Sequence, residues 1–403
     1  MGTDTIGVEE FYDRRVSPSD RPQIGTVRLV ALKLVLNTAI RLVYPFLPTI
    51  ARGLGISIGQ AGALVSMRWV AGFASPVAIG LAGHRATSRA LMLTGLGVFA
   101  VGSLITAFFG VFVGAAIGFG LIGFAKPLFD VGAQAHVAER VPWHRRSRHI
   151  GVLEVSWAGG LLVGAPIAGW LIANGSWNTP FLTLGLLATA GMVAVAMLDQ
   201  AEATTPVELA DKPRVQGPAM WFLVIGGVVG FALEILLVNL GVWLESDFGL
   251  TLLALGGVGT LIGVAELAGE GGVVAITDRV DKRKALALAL ALSSLVFLLL
   301  AWAAESLAWG VGVLAVGIAL IEYTIVSGMS VATEIHPGNR TGYLAWFAVA
   351  TGIGRIAGDL AGPAMFSSGG MRLTSFAAAT SAAVGAALLM RLPNLDASPA
   401  TRG

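Results

Sequence analysis

The chain has 403 residues, of which 55% are hydrophobic and 12% charged, with a formal net charge of +2 and no cysteine. Soluble domains carry about 25% charged residues, so this composition, with a mean hydropathy of +0.79, excludes a soluble globular protein. Without cysteine there is no disulfide framework, thiol nucleophile or thiolate metal site, and the weak basic balance reflects where the arginines sit rather than a nucleic-acid partner.

Residues 1–26 are polar and lack the apolar core of a signal peptide. They read as a tail, and the first apolar stretch as a retained span. Crossing a bilayer takes about 20 apolar residues. Twelve such stretches occur, near 27–50, 59–81, 90–110, 112–136, 150–173, 179–198, 220–242, 252–276, 285–304, 309–332, 342–366 and 372–391. The longest and most polar connection, 199–219, divides six spans from six. The expected fold is all-α, with one six-helix bundle over 27–198, a second over 220–391, and a short tail over 392–403. Nineteen of the 26 lysines and arginines fall on one side of these spans, and two, Arg52 and Arg372, on the other. By the positive-inside rule both termini and the central loop are cytoplasmic, in a multi-pass protein of the cell membrane.

The remaining five bases, Lys33, Arg41, Arg68, Lys126 and Arg355, lie inside spans. In span one, Lys33, Asn37, Arg41 and Tyr44 share one helical face. Lys33 is close enough to the cytoplasmic surface to snorkel, whereas Arg41 is too deep for that and is expected to line a central cavity. Span four holds Lys126 and Asp130 one turn apart, where they either neutralise each other or face a polar cavity, since each charge at mid-membrane costs about 2.5–3.5 kcal/mol. Glu154 opens span five after a basic hinge that carries four arginines, and either answers that hinge or gates the cytoplasmic mouth. Span five then presents the small-residue ladder Gly160, Gly164, Pro166, a surface for close packing between the halves. The second half is acidic: Glu234 in span seven, Glu266 and Glu270 in span eight, Glu322 in span ten and Asp359 in span eleven, against Arg355. If these groups face one cavity, the halves are electrostatically complementary across it.

The halves also repeat. Leu54-Gly55-Ile56-Ser57 matches Phe248-Gly249-Leu250-Thr251, and Arg85 and Arg89 match Arg279 and Arg283, all at an offset of 194. Ala138-Glu139 resembles Thr333-Glu334 at 195, and the Gly160/Gly164 ladder recurs as Gly358/Gly362 at 198. A shared offset is the signature of an internal structural repeat.

On these residues the chain resembles the major facilitator superfamily. GLAGHRATSR (Gly80 to Arg89) and TDRVDKRK (Thr277 to Lys284) sit where that family carries its cytoplasmic loop motif, with Asp278 keeping the acid in the second copy and His84 replacing it in the first. GGLLVGAPIAG (Gly159 to Gly169) is similar to the fifth-span motif of proton-coupled efflux antiporters, and RLVYPFLPTIARGLGIS (Arg41 to Ser57) resembles efflux permeases for arabinose or drugs. The resemblance implies a secondary transporter working by alternating access. It would be a proton-coupled efflux antiporter of small amphipathic or sugar-like compounds, monomeric in the bilayer and driven by the proton gradient without a cofactor. Proton-coupled uptake of a small organic solute is the alternative, and a non-transporting membrane sensor or scaffold a third class.

No enzyme machinery accompanies the charges: the five histidines fall near span ends, and no metal-ligand spacing or phosphate loop is present. The expected substrate contacts are Arg41, Lys126, Asp130, Glu234, Glu322, Arg355 and Asp359. Glu266 and Glu270, one turn apart, are the expected proton carriers, because two ionised carboxylates there would repel in a low dielectric. Arg85, Arg89, Glu154, Gly160, Gly164, Pro166, Asp278 and Arg279 are the expected gating elements.

Overall fold

The computed structural model describes residues 22–82, 87–141, 143–198, 217–276, 280–335 and 339–392. Among them there is no strand. Span one is Pro22–Arg41 and Val43–Leu54, span two Ile58–Gly72 and Ser75–Ala82, span three Ser88–Phe108, and span four Phe112–Arg140. Span five runs in three pieces, Trp143–Glu154, Ser156–Leu162 and Gly164–Ala173, and span six is Thr179–Ala196. Span seven is Pro218–Leu237 and Leu240–Phe248, span eight Leu252–Ile276, span nine Lys282–Ala303 and span ten Leu307–Ile335. The long helix Arg340–Arg391 is two spans, eleven and twelve, because Gly369 and the left-handed Gly370 (φ 60°) break it. Twelve crossing segments follow, within a few residues of the hydropathy boundaries.

Proline places several of the breaks. A proline has no N–H for the carbonyl four residues earlier and crowds it. Pro45 therefore frees the carbonyl of Arg41, where span one turns by 57°. Pro166 acts in the same way at Leu162, where span five breaks. Pro363 stands in that relation to Asp359 of span eleven, whose helix continues through it.

Spans one to six form one bundle and spans seven to twelve the other, and their terminal edges are clipped alike. Ser88 donates to Glu139 at 2.9 Å in the first bundle, and Lys282 pairs with Glu334 at 2.5 Å in the second. Arg89 donates to the carbonyl of Ala196 at the end of span six; Arg283 does the same to Leu389 (3.1 Å) and Met390 (2.6 Å) at the end of span twelve. Cations at helix C-termini satisfy the last carbonyls and the dipole.

Between the bundles, span one packs on spans seven and eight, span two on span eleven, and span five on span eight. The approach is backbone-close. A Cβ at Gly241 would lie 2.3 Å from the carbonyl oxygen of Pro45, one at Gly169 2.6 Å from that of Leu252, and one at Gly62 2.4 Å from that of Asp359. Arg52 and Glu245 add an exposed pair at 2.5 Å on the side away from the termini. On the terminal side, by contrast, Ser75–Ala82 packs on span four and Trp143–Glu154 on spans one and four, within their own bundle. Among the described residues the two bundles thus meet from the midplane to the far side and part toward the termini.

The glycine ladders pack differently from the expectation. Gly160 and Gly164 lie against Asn37, Arg41 and Thr38 of span one, and Gly358 and Gly362 against Glu234, Ile235, Val238 and Asn239 of span seven. Both ladders therefore close contacts inside a bundle. The seam between halves uses Gly256, which meets Ala165 and Pro166, and Gly263, which meets Ala158 and Leu162.

Candidate functional site

The buried charges gather at the level of the span-one bend. Arg41 sits at that bend, fully buried, and makes a salt bridge across the two bundles to Glu266, also fully buried. Its guanidinium lies 4.6 Å from the ring centre of Trp157 and 5.3 Å from that of Tyr44, a cation–π setting that offsets part of the cost of burial. One helical turn further on, the Tyr44 hydroxyl donates to Glu234 Oε1 at 2.7 Å, and Arg355 donates to Glu234 Oε2 at 2.9 Å. Arg355 in turn lies over Trp69 at 4.9 Å. Of the expected complementarity across the halves, the core shows one ion pair, Arg41–Glu266, and the Tyr44–Glu234 hydrogen bond, while Lys33, Lys126 and Arg355 pair inside their own halves. Span one supplies Arg41 and Tyr44, span two Trp69, span seven Glu234, span eight Glu266 and span eleven Arg355.

A second cluster lies toward the terminal opening. Lys126 pairs with Asp130, which also meets Lys33 at 3.5 Å; Lys33 reaches Glu154 at 2.7 Å, and Gln134 donates to Glu154 at 3.2 Å. Lys33 does not snorkel: its side chain is 2% exposed, held between two carboxylates, while Glu154 at 48% exposure faces the opening. Glu154 therefore answers Lys33 of span one. Lys126 lies 5.3 Å from Trp157, so one indole ring is shared by the cations of both clusters.

Spans eight and ten meet closely, with a Cβ at Gly269 lying 2.3 Å from the carbonyl oxygen of Ala319 and 3.1 Å from Glu322 Cβ. This brings Glu322 within electrostatic range of Glu266 and Glu270, so the pair expected on span eight becomes a trio. Glu270 is half-buried. Arg68 is tied to its own bundle, donating to the carbonyls of Val65 (3.1 Å) and Ile40, 5.5 Å from the ring of Tyr44. Asp359 is fully buried beside Glu234, Arg68 and Arg355. Arg85, Asp278 and Arg279 lie outside the described residues.

Several buried polar atoms stay unused by the protein: Arg41 Nε and Nη1, Asn37 Oδ1, Glu266 Oε2 and Glu322 Oε1. Unpaired donors and acceptors at one depth suit a polar ligand that supplies the missing partners. Trp157, Trp69 and Gln134 escaped the sequence reasoning. Their only signal is a tryptophan or glutamine within a span, and nothing in the sequence says which buried cation it faces.

A family model for the Major Facilitator Superfamily matches residues 29–320. Two uncharacterized MFS-type transporters of Mycobacterium tuberculosis, from strains CDC 1551 / Oshkosh and ATCC 25618 / H37Rv, are each 32% identical over 166 residues. The match takes in 41% of this chain and only 24% of those relatives' length. Among solved structures, a D-xylose-proton symporter aligns with a TM-score of 0.73 at 12% identity, covering 92% of this chain and 98% of its own. A bacterial homolog of the human lysosomal transporter Spinster, inward-facing and occupied, aligns at 0.75 and 13% identity, covering 95% and 100%. At such identities the two structures speak for the fold. The family model spans most of the chain, and on that match the protein belongs to the Major Facilitator Superfamily, a family of multi-pass secondary transporters rather than enzymes, which work without a cofactor.

Proposed function

We propose that the protein is a proton-coupled antiporter exporting small amphipathic or sugar-like compounds, with both termini cytoplasmic and the present state open to the cytoplasm. The observation that carries this reading is the buried Arg41–Glu266 bridge between the bundles. In a low dielectric an ion pair is held by both charges, and removing one leaves the other stranded. A proton on Glu266 therefore releases Arg41, and a substrate that engages Arg41 makes the carboxylate dispensable. Proton and substrate compete for one guanidinium, which is the logic of exchange. Glu266 and Glu270, with Glu322 facing them from span ten, carry the proton. Arg41, Lys126, Asp130, Glu234, Glu322 and Arg355 meet the substrate, with Trp157 as a flat apolar shelf. The outward direction rests on the resemblance of the Gly159–Gly169 segment to efflux antiporters.

The test is flux in proteoliposomes with an imposed proton gradient, screening amphipathic compounds and sugars. Export against a substrate gradient when protons run inward is expected, and Glu266→Gln and Glu270→Gln should each lose that drive while still binding substrate. Co-directional movement of proton and solute would replace antiport with uptake. No flux for any compound at any gradient would leave a sensor or scaffold.

A further inference from the structure

Asp359 is the one buried acid of the core that the exchange logic above does not use. It is fully buried, and among the described residues no hydrogen-bond donor reaches either of its carboxylate oxygens. Its neighbours do not compensate. Glu234 of span seven is a carboxylate already committed to Tyr44 of span one and to Arg355. Arg355, one turn away on span eleven, is spent on Glu234. Arg68 of span two gives Nε and Nη1 to backbone carbonyls and keeps Nη2 unpartnered. The nearest acid of span ten, Glu322, interacts with Arg355, Arg41 and Glu234.

An isolated carboxylate buried without donors, and next to a second one, does not stay ionised; it takes up a proton instead. A proton on Asp359 also supplies the missing donor toward Glu234. The backbone explains why the site closes. Pro363 withholds its N–H from the Asp359 carbonyl, and Gly62 of span two packs onto that carbonyl from the other bundle, with Pro363 Cγ 2.9 Å from where a Cβ would be. Parting of spans two and eleven uncovers the carbonyl and opens the flank of the carboxyl that faces Arg68 of span two.

We propose that Asp359 is a proton-binding site in the seam between spans two and eleven, filled when the far side is closed and emptied when the seam opens to water. It rests on the alternating-access reading but not on any substrate or on Glu266. By linkage, the closed state binds the extra proton, so the closed population rises as pH falls, by at most about tenfold per pH unit for one proton.

The experiment uses the full chain in nanodiscs without substrate. Because there is no native cysteine, Gly59→Cys and Ser367→Cys, both exposed at the far ends of spans two and eleven, report the seam through the distance between two spin labels. The wild-type background should show the short distance gaining population as pH is lowered. Asp359→Asn should hold the seam closed with a flattened pH response, and Gly257→Ala, whose added Cβ meets nothing within 4 Å, should keep the wild-type slope. Asp359→Glu, which keeps a carboxyl if the amide fails to fold, should shift the midpoint while retaining the slope. A full wild-type slope in Asp359→Asn, or an unmoved midpoint in Asp359→Glu, would overturn the proposal. If wild type fails to couple flux to protons while this seam still titrates, the antiport reading falls and the Asp359 site stands.

Discussion

Gly62→Ala isolates the seam in a single methyl group. Its Cβ would lie 2.4 Å from the Asp359 carbonyl oxygen and 2.9 Å from Pro363 Cγ, whereas ordinary contact starts at 3.4 Å. The shortfall is about 1.0 Å against a backbone atom, which cannot rotate away as a flexible side chain can. Overpacking of this kind costs about 1–3 kcal/mol, and here it is charged only to the state in which spans two and eleven touch. The gain in helix propensity from glycine to alanine is common to both states and cancels. The equilibrium should move toward the far-side-open form by about 5- to 150-fold. Spin-label distances at the far ends of spans two and eleven read this directly. Gly257→Ala is the control, since nothing lies within 4 Å of its would-be Cβ; it should leave the distribution unchanged. A Gly62→Ala distribution equal to that of wild type would show that the seam is not the contact that distinguishes the states.

Breaking the Arg41–Glu266 bridge on one side, by Arg41→Gln or Glu266→Gln, should cost about 3–5 kcal/mol of stability in detergent, while the double variant recovers most of the loss; additive effects would argue against a coupled pair. Alanine at Arg41 or Glu322 should abolish transport with folded protein still in the membrane, and normal transport by both would make these charges structural. Single cysteines at Gln200 and Gly403 should be labelled from the cytoplasm and one at Asn174 from outside; labelling of Gln200 from outside would refute the orientation.

Hydropathy located the spans because crossing a bilayer demands length and apolarity from each segment separately, and span eight, expected over 252–276, is Leu252–Ile276 in the structure. The internal repeat was legible too, down to Glu139 and Glu334, which clip equivalent helix starts. Pairings were not. Arg41 meets a carboxylate 225 positions away, a contact set by how each helix is rotated and how the bundles dock, and neither quantity appears in a hydropathy profile. The same gap explains the ladders. Gly160 and Gly164 announce a close neighbour, but small residues serve a partner inside the bundle as well as one across it. Aromatic shelves such as Trp157 stay hidden because an apolar ring in a span looks like lipid-facing bulk until a cation is placed against it.

The proline-freed carbonyls of spans five and eleven meet different partners. That of Leu162 accepts the Thr260 hydroxyl from span eight at 3.0 Å, while that of Asp359 has the bare Cα of Gly62 against it. These equivalent positions of the two halves are thus joined by a conventional hydrogen bond on one flank and by contact on the other, where the Arg355–Trp69 cation–π pair is the polar link. A contact without a hydrogen donor is worth little, about 0.5–1 kcal/mol even when a Cα–H points at the oxygen. A buried ion pair between the bundles adds little net strength, because desolvation offsets most of its attraction. Shifting a balanced pair of states from 1:99 to 99:1 already takes about 5.5 kcal/mol of differential binding. An adhesive interface would raise that demand beyond what one small molecule or one proton supplies. A flank of spans two and eleven held by the Gly62–Asp359 contact and one cation–π pair keeps the demand on any driving ligand low.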